Sequence, residues 1–392
     1  MPELPAASVT AYAPMHDEVV EALVSIAQNG IPASGAAWIT DVGTEVFLRY
    51  FDEEILLGLI SAGCSTCRFF EAVYGAGKTH LLDLIGRLAR NRGFAVVRTD
   101  LSQVVSLSDW KLVAKHALEN ITLAGDLGTI RSLPRILRSF GQLGVLHPDG
   151  LRGVRLSHVG FSNAILLAVE DRFRSDEARE LVHRYLMGER VGVGQLQRFG
   201  VHGVTEPLSE RNAEQVLSTI SNALVALGLP GVVLMFDENE HSFLTQSEYV
   251  SRKVQTSANL IRRLIDACAM GDLRGVLVVF AVLPGFLRRC AHAYQALGQR
   301  LERPDRGEDA LAWRWPVVDV SDLCGDMSEE RFADRAIGRM YDLANTNGFA
   351  PSDLRAEMSR EARRVLESHA SSGFRRPLMK VLAEIALRGV KT

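Results

Sequence analysis

From Arg68 to Ala89 the chain reads RFFEAVYGAGKTHLLDLIGRLA, and this stretch restricts the fold more than any other. A short apolar run of strand type (68–73) passes into a glycine-bearing loop. Leu81, Leu82, Ile85, Leu88 and Ala89 then recur at helical spacing. NRGF ends that helix at Gly93, and FAVV (94–97) follows as a second strand. A strand, loop, helix and strand in that order form a βαβ unit, which requires parallel strands and a helix crossing over them.

The loop itself approximates the phosphate-binding pattern G-x-x-x-x-G-K-[ST], with Ala72 where the first glycine stands. Gly75 and Gly77 free the backbone nearest Lys78 to turn its N–H groups inward, and the following helix presents its positive end. Tyr74, Gly75, Ala76, Gly77, Lys78, Thr79 and His80 are therefore expected to wrap a nucleotide's phosphates. Lys78 supplies a point charge, and the Thr79 hydroxyl is placed to ligate Mg²⁺. Ala72 sits at the strand end, where a methyl group fits if φ stays negative.

Further along, Val216, Leu217, Ile220, Ala223, Leu224 and Leu227 line one face of a helix stopped by GLPG. VVLMFDENE (232–240) is then a buried strand ending in acids. Asp237 is expected to hold Mg²⁺ through water, and Glu238 to orient and deprotonate an attacking water. Two motifs in this order, each at the C-terminal end of a strand, point to ATP with Mg²⁺ as the ligand. A further helix, ANLIRRLIDACAM, leads to the strand GVLVVFAVL. The helix FLRRCAHAYQALGQRL and a last strand in WPVVDV follow.

This alternation predicts an α/β fold with a mainly parallel sheet flanked by helices. We expect an N-terminal arm and helical lead-in over 1–60 and a nucleotide-binding core over 61–327. The core carries a helical insertion at about 103–205, and residues 328–392 form an all-helical C-terminal domain. Net charge of -3 argues against a broadly basic nucleic-acid binder. The longest apolar run, starting at Gly275, is broken by Pro284 and is too short to span a bilayer. MPELPAASVTAYAP has neither the basic stretch nor the apolar core of a leader, so a cytoplasmic location and no membrane partner are expected. Five cysteines suit a reducing compartment, and the Cys64–Cys67 pair has no second pair at zinc-site spacing.

With these residues in place, the chain resembles the ATP-binding proteins of BREX-type anti-phage defence systems. The likeness runs through EALVSIAQNGIP, VYGAGKTHLL, RGFAVVRTDLS, ALGLPGVVLMFDENE, LIRRLIDAC and YQALGQRL. The glycine loop and acidic strand end are generic to NTPases; the DE-x-E segment followed by the Arg-Leu-Ile-Asp helix is more family-like. The resemblance implies a P-loop NTPase core, AAA+ or origin-recognition-like, with a helical lid, acting as an ATPase motor or switch. It implies other defence proteins as partners, of helicase, methyltransferase or nuclease type, and leaves DNA and further copies of the chain open. It places a lid arginine in GFRRP, Arg375 or Arg376, near the phosphates. It also puts Arg300, in LGQRL, where a charge-neutralising arginine acts within the chain or across a subunit interface; a solvated helix arginine is the equal alternative.

The chain departs from the family in VVFAVLPGF. The strand that usually ends in Thr-Gly-Thr-Pro has Ala281, Val282 and Leu283 before Pro284, so a polar sensor of the γ-phosphate is missing. That favours an alternative reading, a nucleotide-binding scaffold with slow or absent hydrolysis. A DNA-loading clamp ranks third, because the stretch from Ser328 lacks the short strands of a winged helix. Arg131, Arg135, Arg138, Arg152 and Arg155 could meet DNA phosphates but read more simply as solvated helix faces. Glu240 and His241 read as support for the metal or as plain surface. Asp100 is a candidate to relay a partner's signal to Glu238 or to cap a turn.

Overall fold

The computed structural model describes residues 14–33, 35–101, 109–125, 128–143, 151, 154, 156–238, 252–301, 312–324, 327–368 and 372–390. Its centre is a seven-stranded sheet in a mixed, mostly helical α/β architecture. Helix α1 (His16–Asn29) opens with Asp17 and Glu18 in its first turn, and the Glu18 carboxylate accepts the Met15 N–H. It ends at Gly30, whose φ of 71° lets its N–H return to the Ile26 carbonyl. Helix α2 (Glu45–Tyr50) runs directly into a π-helical stretch, Phe51–Ile60, and then into β1 (Thr66–Glu71).

The expected βαβ unit is present: β1, the glycine loop, α3 (Lys78–Asn91) and β2 (Ala95–Leu101). Next come α4 (Trp110–Asn120), β3 (Thr122–Gly125), β4 (Gly128–Arg131) and α5 (Leu133–Leu143). After α6 (Val159–Val169), α7 (Asp176–Leu186), α8 (Val193–Arg198) and α9 (Ala213–Ala226), the chain re-enters the sheet as β5 (Val232–Glu238). Helix α10 (Arg252–Met270), β6 (Val276–Val282), α11 (Phe286–Ala293), α12 (Gln295–Leu301) and β7 (Val317–Asp319) complete it. Helices α13 (Glu329–Thr346), α14 (Leu354–Ser368) and α15 (Arg375–Leu387) follow.

The strand order is β4-β3-β2-β5-β6-β1-β7, and the five strands from β2 to β7 in that order are parallel. Alternation along each strand divides the side chains between two cores. On one face Phe70, Val96, Val233, Met235, Leu277 and Val279 pack on Leu81, Leu82 and Ile85 of α3 and on Phe47, Phe51 and Ile55. On the other, Phe69, Val97, Leu234, Phe236, Val278 and Phe280 meet α4, α9 and α10. Phe280 stacks between Phe69 and Phe236, at centroid distances of 5.1 and 5.0 Å. A third core joins α1 to α13, α14 and α15 through Val19, Leu23, Ile26, Met340, Leu378 and Leu382.

The insertion, read from the sequence as helical, is not helical throughout. It contributes the antiparallel hairpin β3–β4, which adds to the β2 edge at Val96↔Thr122. Strands of four residues carry too few alternations to stand out from their helical flanks, and pairing to β2 supplies the stability that local propensity does not.

His158 caps α6: its Nδ1 accepts the Phe161 N–H at 3.2 Å while its own N–H donates to Thr219 Oγ1 at 2.8 Å. Burial lowers its pKa, partly opposed by a backbone hydrogen bond and Glu206. The folded state resists protonation more than the unfolded chain does. The stability it contributes is therefore complete above the unfolded pKa, about 6.5, and is lost as pH falls through the lower folded value. His158→Asn keeps a capping acceptor without the titration. Its urea midpoint should fall less than the wild type's between neutral pH and mild acid.

Candidate functional site

The glycine loop leaves β1 with Ala72 still in the sheet, its N–H donating to the Val282 carbonyl at 3.1 Å. Ala72 is 3% exposed, and its methyl packs in the core on the α3 side of the sheet. This accounts for alanine at the first pattern position: the residue has a packing role and no positive φ. Gly75 and Gly77, with φ of 78° and 100°, adopt the left-handed backbone that an L side chain resists. Ala72→Gly should lower stability by about 1–1.5 kcal/mol, from one buried methyl and the added chain entropy. A thermal scan should show a Tm about 1–2 °C lower, with nucleotide affinity unchanged.

Lys78 opens α3 and is nearly buried; its Nζ donates to the carbonyls of Ala72 at 2.7 Å and Val73 at 3.1 Å. The ammonium thus lies over the loop. One residue on, Thr79 Oγ1 donates to Asp237 Oδ2 at 3.0 Å, so the loop and the acidic strand end meet although 158 positions separate them. The meeting follows from strand order, since only β6 lies between β1 and β5. A hydroxyl beside a carboxylate is the hard-oxygen pair that a small divalent cation accepts. Glu238 ends β5 opposite Leu101; its side chain, with Glu240 and His241, lies outside the described residues.

On the β6 side Asp237 is aligned with Ala281, and Ala281 and Val282 are both buried. The apolar strand end read from the sequence therefore lies directly beside the carboxylate. On the β2 side Asp237 is aligned with Asp100, and Arg98 Nη2 donates to Asp237 Oδ2 at 3.1 Å.

A cavity of about 350 Å³ opens over the loop, within the size range of small-molecule sites. Tyr74, Gly75, Ala76, Gly77, Lys78, Thr79 and His80 line it together with Asp237, Arg98 and Asp100. The lining also includes the apolar side chains of Ile26, Ile31, Val42, Leu323, Phe332 and Met379, beside Thr40, Asp41, Thr44, Arg375 and Arg376. The cavity thus offers both charged groups and apolar surface. His80 Nε2 lies 3.2 Å from Asp41 Oδ1, and Thr44 Oγ1 donates to the other Asp41 oxygen at 2.6 Å, which ties the start of α3 to the segment before α2.

Of the two arginines in GFRRP, Arg376 is the one on the loop. Its Nη1 donates to Tyr74 Oη at 2.8 Å, its Nη2 donates to the Asn29 carbonyl at 2.6 Å, and the guanidinium lies 5.3 Å from the Tyr74 ring centroid. Arg375 also lines the cavity but stacks on Phe332 at 4.8 Å. Arg300 is not brought to the cavity: its Nε donates to Asp266 Oδ1 and its Nη1 to the Ala296 carbonyl, each at 2.6 Å. Arg131, Arg135 and Arg138 are exposed, while Arg152 and Arg155 lie outside the described residues. Cys67 is buried with its sulfur 3.9 Å from that of Cys268, whereas Cys64 is exposed. The described residues hold no cluster of histidine, cysteine and acids at metal-binding spacing, and none of their helices is long and apolar enough to cross a membrane.

The sequence reading assigned no role to Arg98, Asp83, Asp41 or the apolar lining. A cationic residue inside the strand pattern VVRTDL was the available signal for Arg98. The apolar lining had none, because its residues come from segments far apart in the chain.

A search of curated proteins finds no match. The family described as "BREX system ATP-binding protein BrxC/D" matches residues 15–126 and 154–326. These two segments take in the glycine loop, Arg98, Asp237 and every strand of the parallel sheet, and the chain accordingly belongs to the BREX system ATP-binding protein BrxC/D family.

Proposed function

We propose that the chain is an AAA+-like P-loop ATPase that binds Mg-ATP and works as a motor or switch within a BREX defence assembly. The observation that carries this reading is the Thr79–Asp237 contact at 3.0 Å beside Lys78, in a cavity lined by both charged and apolar side chains. The backbone N–H groups around Gly75 and Gly77, with the N-terminus of α3, would receive the phosphates. Lys78 would exchange the Ala72 and Val73 carbonyls for phosphate oxygens. Thr79 and Asp237 would hold Mg²⁺, which neutralises charge on the phosphates. Glu238 would orient the attacking water and accept its proton.

Arg376 would complete the phosphate end from the helical lid, since it already touches Tyr74 of the loop. Arg300, held by Asp266 away from the cavity, fits an arginine offered to a neighbouring copy rather than to its own site. Family membership supports other BREX proteins as partners; helicase, methyltransferase or nuclease types and DNA belong to this proposal, as does a cytoplasmic location. The buried apolar pair Ala281 and Val282 beside Asp237 favours a second reading, a nucleotide-binding scaffold with little turnover.

The test is Mg-ATP binding by calorimetry and steady-state phosphate release, with and without duplex DNA. Binding with turnover supports the motor or switch. Binding without turnover under every condition supports the scaffold. Absence of binding overturns both.

A further inference from the structure

Arg98 stands inside a parallel strand, yet three carboxylates surround its guanidinium. Its Nη2 lies 3.1 Å from Asp237 Oδ2, its Nε 3.8 Å from Asp100 Oδ1 and its Nη1 3.9 Å from Asp83 Oδ1. Only the contact to Asp237 is at hydrogen-bonding distance. The oxygen it takes, Oδ2, is also the one that Thr79 Oγ1 reaches. If Thr79 and Asp237 hold a divalent cation, that cation and Arg98 compete for one oxygen atom, and like charges at such separations repel strongly.

Two other carboxylates are ready to receive the arginine. Asp83, one turn after Thr79 on α3, is fixed by the N–H groups of Gly35 and Ala37 at 3.0 and 3.2 Å. Asp100 is 72% exposed and lies on the same sheet face as Arg98, two residues along β2. A shift of about an ångström brings the guanidinium from long range into hydrogen-bonding range of either.

We propose that Arg98 is a built-in counter-cation of the metal site. It holds Asp237 against Thr79 in the absence of metal, then yields that carboxylate and moves onto Asp83 and Asp100. Arg98 is thus a positioning residue that raises the Mg²⁺ concentration the site requires. This rests on the reading of Thr79 and Asp237 as the metal ligands.

The experiment follows melting of the nucleotide-free full chain against MgCl2 at constant ionic strength, with choline chloride as control. Arg98→Gln should lower the half-saturating Mg²⁺ concentration about tenfold. Asp100→Asn, an exposed change that leaves packing untouched, should raise it about threefold. Adding Asp237→Asn to Arg98→Gln should abolish the response. A wild-type midpoint in Arg98→Gln overturns the proposal, as does the same result in Asp100→Asn should the first variant fail to fold. Weaker ATP binding in EDTA with an unchanged Mg²⁺ midpoint would make Arg98 a phosphate ligand instead and also overturns it. Wild type that binds Mg-ATP beside an Arg98→Gln variant of unaltered midpoint defeats this inference alone. Wild type that binds no Mg-ATP beside a variant of tightened midpoint defeats only the ATP reading.

Discussion

Lys78→Ala is expected to weaken ATP binding by about two orders of magnitude. A charge-assisted hydrogen bond to phosphate is worth roughly 1.5–3 kcal/mol, and the lost ammonium also removes a full charge from a nearly buried position. The structure adds a second contribution. Lys78 Nζ bonds the Ala72 and Val73 carbonyls, so alanine also leaves the start of the loop without its internal tie. Lys78→Arg should not rescue binding, because a planar guanidinium cannot take the place of a compact ammonium in that confined space. Calorimetric titration of both variants with ATP and ADP measures the loss; affinity within threefold of wild type in Lys78→Ala would remove the loop from the site.

Glu238→Gln should retain ATP binding and lose turnover by about 10²–10⁴-fold, the usual size of a general-base contribution. The amide cannot accept the proton from water, yet it keeps the size and most of the hydrogen bonding of the acid. Single-turnover phosphate release at saturating ATP separates this step from binding and from product release. Equal rates for variant and wild type would leave Glu238 without the catalytic role and favour the scaffold reading. That reading already has the apolar Ala281 beside Asp237 in its favour.

Arg98 and Lys78 show what a sequence displays and what it conceals. The glycine loop around Lys78 and Thr79 was legible because its requirements are local: glycines where φ turns positive, a strand before and a helix after. Asp237 was legible as an acid closing an apolar strand. The importance of Arg98 depends on β2 lying beside β5 in register, which brings it to Asp237, 139 positions away. Nothing within VVRTDL states which strand will be its neighbour.

The same distinction governs the larger architecture. The alternation of strand and helix was readable because helices such as α3 announce their period over 14 residues, and β1, β2, β5 and β6 stand between them as strand-like runs of six or seven. The β3–β4 hairpin was not, since its strands are four residues long and gain stability from the β2 edge. Helix α1 displayed an amphipathic face, but an apolar stripe does not specify its partner. Packing placed that face on α13 to α15 and set Ile26 in the lining of the cavity.

By itself the sequence determined the βαβ frame, the glycine loop and the acidic strand end, all of which rest on backbone conformation and periodicity within one segment. Tertiary structure alone decided that Thr79 reaches Asp237, that Arg98 occupies the same carboxylate oxygen, that Arg376 rather than Arg375 holds Tyr74, and that Arg300 is taken by Asp266. Those contacts join residues from different strands and helices, and their distances are set by sheet order and core packing, which no single segment encodes.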